Sequence, residues 1–431
     1  MYALVDCNSF FCSVEKVFHP GLAGKPVCVL SSNDGIIVAL TTEAKAVGLH
    51  RGDAIFKVRE IIDREGVEVF STNMTLYAAM SRRVTSILRQ SVAGVENYSI
   101  DESFCDLRGY ERFYNLEDYM RDVAGRIRLW TDIPVSIGIA PSKTLAKMGS
   151  KFAKQYAGYR GVCLIDSEKK RRRALELFPL DDVWGIGRRT LAKLEALGIH
   201  TPLEFADRPG EWVERHFTKP TVQIWKELNG GPCIDTAEVL KRQTICTSRS
   251  FGEMVTELPD LQAAVSSFAA GCANKLRDQK SLAGSVTVFL MSNPFREDLP
   301  QHCGSASLPF PVPTSDTLEI TSAALEVLRE IWRPGIRYKK AGVVLGHITP
   351  SLDYQGDLFD SIGNRPERLR LGTTLDSINQ RYGVKTVGLA VEGEKQQPWK
   401  VKCLHRSGDY LTSLEGLLTI SASMPENSAN P

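Results

Sequence analysis

Val95-Glu-Asn-Tyr-Ser-Ile-Asp-Glu-Ser-Phe-Cys-Asp-Leu107 is the stretch from which the fold is read. Its two arms have the character of strands, and Asp101-Glu102 lies between them, so it predicts a β-hairpin with two carboxylates near its turn. Working back toward the N-terminus, a helix is expected after Asn73, with Leu76, Met80, Val84, Ile87 and Leu88 on one side. Before it come a short helix from about Thr42 to Gly48 and two short strands, Val27–Leu30 and Ile36–Leu40, around a Ser-Ser-Asn-Asp-Gly turn. At the start, Tyr2–Val5 is an apolar run ending at Asp6, which suits a buried strand with a carboxylate at its tip. Phe10, Val14, Val17 and Phe18 then fall on one helical face, and Asn8 or Ser9 can cap that helix.

Downstream of the hairpin, a helical stretch surrounds Tyr119–Leu129. Val135–Ile139 reads as a strand, and a Lys-rich helix runs to about Lys154. The β-α-β-β-α-β order predicts a ferredoxin-like core. Lys169–Arg173 is a run of five basic residues leading into a second, helical region, where Val183-Trp-Gly-Ile-Gly187 opens a helix stopped by Gly198. Such a run is more often a solvated face than a contact. Residues 243–349 read as a separate α/β unit, with Val286, Val288 and Leu290 alternating in one strand. Beyond Pro350 the composition suggests a linker and a small appended segment.

The 431 residues suggest about three domains. With 43% hydrophobic and 24% charged residues, composition excludes a disordered chain, a collagen-like repeat and a small disulfide scaffold. A formal net charge of only +2 means that a polyanionic partner would have to be met by local patches. The ten cysteines include no C-x-x-C pair and the seven histidines no H-x-x-x-H pattern, so no zinc site is expected. The cysteines read as reduced thiols, most of them small core hydrophobes. No apolar run approaches a membrane span, and the N-terminus lacks the pattern of a signal peptide.

The chemistry is carried by three acids. In a split β-α-β core the first strand neighbours the central hairpin, so Asp6, Asp101 and Glu102 could converge. Each signal alone is weak: an Asp-Glu dipeptide is usually a solvated turn, and an Asp after a strand is commonly a cap. Converging carboxylates repel one another unless a cation neutralises them. Mg²⁺ prefers oxygen ligands, with phosphate and water completing its shell. Two such ions about 4 Å apart can clamp the attacking and leaving oxygens of an in-line displacement at phosphorus. The helix beginning near Ser9 presents backbone N–H groups that favour phosphate. Phe10 and Phe11 lie in its first turn, where a triphosphate would sit, although Phe10 suits the core equally well. Lys45 and Lys154 are candidate cations for a polyphosphate.

Asp6-x-Asn-Ser-Phe-Phe followed by Glu15, Thr42-Glu-Ala-Lys45, Tyr98-Ser-Ile-Asp-Glu-Ser103, Ser136-Ile-Gly-Ile-Ala-Pro-Ser-Lys-Thr-Leu-Ala-Lys147 and Trp184-Gly-Ile-Gly187 occur in that order. Together they resemble the Y-family translesion DNA polymerases, and among them the UmuC type, over essentially the whole chain. The resemblance implies an α+β, right-hand polymerase. Its parts would be a ferredoxin-like palm (1–10 and 75–165), small fingers (11–74), a thumb with a helix-hairpin-helix (166–240), an α/β little finger (243–349) and a tail (350–431). It further implies that Asp6, Asp101 and Glu102 hold two Mg²⁺ ions together with the Cys7 carbonyl. Phe11 would be the steric gate that excludes a ribose 2′-hydroxyl. Lys154 would contact the triphosphate. Lys45 stands where many relatives carry arginine and Thr42 where many carry tyrosine; lysine lacks the bidentate fork, so triphosphate binding here would be looser.

On the same resemblance, Gly185 and Gly187 would let backbone amides approach a DNA phosphate without reading sequence. Arg249, in the unit that would grip duplex DNA, is the first candidate for a backbone contact. Gln355-Gly-Asp-Leu-Phe359 has the form of a sliding-clamp-binding peptide, with Leu358 and Phe359 as anchors. The expected activity is template-directed nucleotidyl transfer in the SOS response to DNA damage. The expected partners are primer–template DNA, deoxynucleoside triphosphates, a processed UmuD-type dimer, the RecA filament and the clamp. The expected location is the cytoplasm, at the nucleoid when active. Two alternatives share parts of this pattern: a palm-domain nucleotidyl cyclase, and a DNA-binding scaffold of the same fold without turnover.

Overall fold

The computed structural model describes residues 1–235, 241–353, 362–383, 385–393, 397 and 399–411. The chain divides into two compact units. The first comprises 1–31, 35–239 and 405–431, and the second 32–34 and 240–404.

In chain order the first unit runs β1 (Tyr2–Cys7), α1 (Phe10–Phe18), β2 (Val27–Leu30), β3 (Ile37–Leu40), α2 (Thr42–Ala46), α3 (Ile55–Glu65), β4 (Glu68–Ser71) and α4 (Met74–Ser91). It continues with β5 (Gly94–Asn97), β6 (Glu102–Asp106), α5 (Leu116–Thr131), β7 (Val135–Ala140), α6 (Lys143–Gln155) and β8 (Val162–Leu164). Five short helices close it: α7 (Glu168–Leu177), α8 (Arg188–Ala196), α9 (Pro202–Ala206), α10 (Gly210–His216) and α11 (Lys219–Leu228).

The principal sheet has the order β5-β6-β1-β7-β8. The first four strands pair antiparallel in the ferredoxin-like order, and β8 adds on parallel to β7. β1 is central because its residues are apolar on both sides: Ala3, Leu4 and Val5 are all buried. One core gathers α1, α4 and α5 around Val5, Tyr77, Ile87, Met120 and Ile137. A second sits where α6 meets α7–α11, around Leu4, Phe152, Leu175 and Phe205. The small sheet β3-β2-β4 has its own core with α2 and α3, around Cys28, Leu40 and Ile62.

The seam between β7 and α6 is set by two glycines. A Cβ on Gly138 would meet the Ala146 carbonyl oxygen at 2.0 Å and the Ser150 nitrogen at 2.1 Å; one on Gly149 would meet the Gly138 Cα at 3.1 Å. Backbone therefore packs directly on backbone, which draws α6 close to the strands that carry the acids.

The helix caps differ from expectation at one end. The α4 helix follows Asn73 as expected, and Asn73 also caps it, accepting from the Leu76 N–H. Ser9 occupies the N-cap position of α1 in a left-handed conformation (φ 45°) without a side-chain cap bond. Asn8 instead accepts a hydrogen bond from the Ser136 hydroxyl through its side chain and from the Ser13 hydroxyl through its carbonyl.

The second unit is built from β9 (Ile245–Val255), α12 (Leu258–Asp278), β10 (Ser281–Ser292), β11 (Cys303–Thr314), α13 (Thr317–Ile331), β12 (Tyr338–Pro350) and α14 (Arg365–Tyr382). Its antiparallel sheet has the order β11-β10-β12-β9. Ala283, Val286, Val288 and Leu290 of β10 are buried against helices α12 and α13. Trp399 is buried in the same core. Of the ten cysteines, Cys7, Cys12, Cys28, Cys105, Cys163 and Cys272 are buried as free thiols. No described helix is long and apolar enough to cross a membrane.

Candidate active site

β1 and β6 run antiparallel in a register that sets Asp6 directly opposite Glu102. One residue further on, the Cys7 N–H donates to the Asp101 carbonyl at 2.9 Å. The three acids thus stand at neighbouring backbone positions although Asp6 is far from the other two in sequence. The turn before β6 is fastened by Ser99. Its hydroxyl donates to Asp101 Oδ1 at 2.6 Å and accepts from the Glu102 N–H at 3.0 Å.

Helix α6 lies over this edge and presents Lys143, Lys147, Lys151 and Lys154 as a stripe of cations. Lys154 Nζ is 2.8 Å from Asp6 Oδ1, and Lys147 Nζ is 2.7 Å from Glu102 Oε1. Lys143 pairs with Glu96 at 2.6 Å, and Lys151 with Asp182. The helix repeat of 3.6 residues places all four lysines on one face. Only Lys154 was expected to matter; the spacing of Lys143, Lys147 and Lys151 before it was the available signal for the others.

A cleft of about 410 Å³ opens here, lined in part by Asp6, Glu102, Lys147, Lys151 and Lys154. Its far wall includes Trp184, whose indole N–H donates to the Tyr98 hydroxyl at 2.9 Å. Lys147 Nζ lies 4.6 Å from the Tyr98 ring centroid and 5.5 Å from that of Trp184.

The donor set is oxygen only. The Cys7 side chain is buried in the core, and burial, reinforced by the charges of Asp6 and Asp101, pushes its thiol far above the ordinary range. Carboxylates with a backbone carbonyl are what a hard divalent cation takes. As the side chains stand, Asp6 and Glu102 are turned to lysine ammonium groups and Asp101 to Ser99. No three His, Cys, Asp or Glu side chains among the described residues are grouped to hold a metal ion. The lysine ammoniums supply positive charge at the carboxylates where a metal would supply it.

The other expected residues fall as follows. Phe11 is half-buried at the start of α1 and stacks on Tyr77, centroids 4.5 Å apart and planes 15° from parallel. Phe10, expected beside a nucleotide, is a core residue with 3% exposure, so its ring is not free to meet one. Thr42 and Lys45 are exposed on α2, which Thr41 caps. Thr42 lines a different cleft, with Ser9, Lys16 and Arg128.

Gly185 has φ 89°, and a Cβ there would meet Ile224 at 2.5 Å; Gly187 is the N-cap of α8, with open space where a side chain would be. The basic run 169–173 lies within α7. Most of its charge is spent internally, with Lys170 on Asp166, Arg171 on Glu168, Arg172 on Asp207 and Arg173 on Glu176. Arg249 is exposed on the edge strand β9. Gln355, Leu358 and Phe359 lie outside the described residues.

Residues 5–151 match the impB/mucB/samB family, residues 242–358 its C-terminal domain and residues 172–199 the helix-hairpin-helix motif of the same family. Residues 369–420 match a domain of unknown function, DUF4113. The chain is 40% identical to "Protein UmuC" of Salmonella typhimurium over 422 residues, 97% of this chain and all of that one. It is 40% identical to "Protein ImpB" of Salmonella typhimurium, over 93% of this chain and 95% of that one. Among solved structures it resembles a Y-family DNA polymerase chimera of Dbh and Dpo4, with a TM-score of 0.63 and 21% identity over 81% of this chain and 99% of that one, a likeness of fold.

Proposed function

The chain belongs to the impB/mucB/samB family, the UmuC-type Y-family polymerases, and is a translesion DNA polymerase of SOS mutagenesis; on that footing we propose how its own residues divide the work. A polymerase of this kind depends on a divalent metal. We assign two Mg²⁺ ions to Asp6, Asp101 and Glu102 with the Cys7 carbonyl. Bound there, the metal would lower the pKa of the primer 3′-hydroxyl and neutralise the triphosphate on which it acts.

The observation that carries this reading is the β1–β6 register, which sets Asp6 opposite Glu102 with Asp101 bonded through its carbonyl to Cys7. Lys154 and Lys147 offset the repulsion among these acids. A triphosphate arriving beside Lys154 offers it a more highly charged partner than Asp6, so the ammonium is poised to bind it. The Phe11 ring, braced by Tyr77, would exclude a 2′-hydroxyl by overlap. Lys45 and Thr42 would reach the triphosphate from the fingers. The palm would comprise 1–10 and 75–165, the fingers 11–74, the thumb 166–240, the little finger 243–349 and the tail 350–431. Gly187 leaves room for a DNA phosphate at the α8 N-terminus beside Gly185, and Arg249 would hold duplex backbone. Gln355, Leu358 and Phe359 would dock on the sliding clamp. A processed UmuD-type dimer and the RecA filament would be further partners, at the nucleoid in the cytoplasm.

Asp101→Ala and Glu102→Ala each should cut primer extension with Mg²⁺ by more than about 10³-fold while leaving primer–template binding largely intact. Full extension by either variant would remove the catalytic assignment and favour a role as a DNA-binding scaffold.

A further inference from the structure

We propose that residues 405–410 form a strap that positions the Phe11 ring through Ser407, Glu15 and Tyr77, and so help to set sugar discrimination. The inference rests on the reading of Phe11 as the gate.

The chain of contacts is continuous. Phe11 stacks on Tyr77. Tyr77 is fully buried, and its hydroxyl donates to Glu15 Oε1 at 2.6 Å. Glu15 is likewise fully buried, and the same oxygen accepts from the Ser407 hydroxyl at 3.0 Å. Among the described residues the other Glu15 oxygen takes no hydrogen bond, and it stands 4.0 Å from His19 Nδ1. Among the described residues Ser407 therefore supplies one of two hydrogen bonds to the buried Glu15 carboxylate, and a buried carboxylate left short of partners is costly.

The strap is fastened on both sides of that bond. Upstream, Ser71 and His405 exchange two hydrogen bonds, the Ser71 N–H to the His405 carbonyl and the His405 N–H to the Ser71 hydroxyl, each 2.9 Å. Asn73, which caps the helix bearing Tyr77, donates to the Ser407 carbonyl at 3.2 Å and hydroxyl at 3.1 Å and to the Gly408 carbonyl at 3.3 Å. Downstream, Tyr410 stacks on Phe18 with centroids 5.0 Å apart, and its hydroxyl meets His19 Nε2 at 3.1 Å. The strap thus grips α1, which carries Phe11, and the first turn of α4, which carries Tyr77. It lies in the stretch that matches a domain of unknown function.

The test uses the full chain on primer–template with Mg²⁺ and measures kcat/KM for a deoxynucleotide and for the matching ribonucleotide. The ratio of the two is the readout, because a merely structural loss lowers both substrates alike. Phe11→Ala is the reference and should collapse the ratio. Ser407→Ala should lower it by about threefold to tenfold, the effect of one ordinary hydrogen bond, and Ser407→Thr should restore it. Tyr77→Phe, which keeps the ring and removes the hydroxyl, should lower it similarly and reports the same coupling if the Ser407→Ala chain does not fold. A collapsed ratio in Phe11→Ala with the parental ratio in both Ser407→Ala and Tyr77→Phe overturns the strap. An unchanged ratio in Phe11→Ala itself overturns the gate reading beneath it.

Discussion

Glu15 shows how much a single side chain can carry without touching a substrate. Burial raises its carboxyl above the ordinary value of 4.5, and the hydrogen bonds from Tyr77 and Ser407, with the charge of His19, only partly offset this. A carboxyl raised in the folded state binds its proton more tightly there than in the unfolded chain. Its contribution to stability is therefore largest at low pH and falls as pH rises from 4.5 toward the raised value. Glu15→Gln should remove that fall, so urea melts from pH 4 to pH 7 should show a smaller decline than in the parent; an identical pH profile would contradict it. Lys154→Ala should raise KM for the deoxynucleotide by about tenfold with a smaller change in kcat, as expected when a charge-assisted contact to the ground-state triphosphate is lost. At this scale the acids were legible because strand pattern and order bring Asp6 beside the hairpin. The Glu15 network was not, since Ser407 lies 392 residues away and a lone serine in sequence has no signature.

Among the elements, apolar periodicity located α1 and α4, where a stripe faces a core. It gave no warning of α14, whose only buried residue is Gly372. That helix docks by charge: Arg277 forks onto Asp376 at 2.6 and 2.9 Å, Arg365 meets Glu319 at 3.0 Å, and Arg368 meets Asp316 at 3.2 Å. Asp376→Ala would leave a guanidinium with 7% side-chain exposure without its carboxylate, at a cost of about 3 kcal/mol, measurable by denaturant unfolding. The β7–α6 seam makes a second demand. Gly138→Ala should destabilise by about 3 kcal/mol or more, because the atoms in the way are backbone and cannot step aside; a melting temperature equal to the parent's would show that the seam can open.

For the molecule as a whole, the near-neutral charge of +2 says little about affinity for DNA. Counterion release depends on the phosphates actually met. Arg249→Ala should therefore weaken primer–template binding uniformly across sequences and reduce the slope of log affinity against log salt by about 1, read by anisotropy from about 50 to 200 mM salt. Domain order was legible in outline, since the hairpin, the Gly-Ile-Gly turn and the later α/β stretch follow one another. What chain order hid is that residues 365–404 belong with the second unit while 405–411 return to the first. The backbone therefore leaves the first unit for residues 32–34 and returns, leaves it again before residue 241, and returns a second time at 405. A protease cutting between residues 235 and 241 would not release two independent pieces: the downstream fragment would still carry His405 and Ser407, bonded to Ser71, Asn73 and Glu15, and the nicked protein should migrate as one species until denatured.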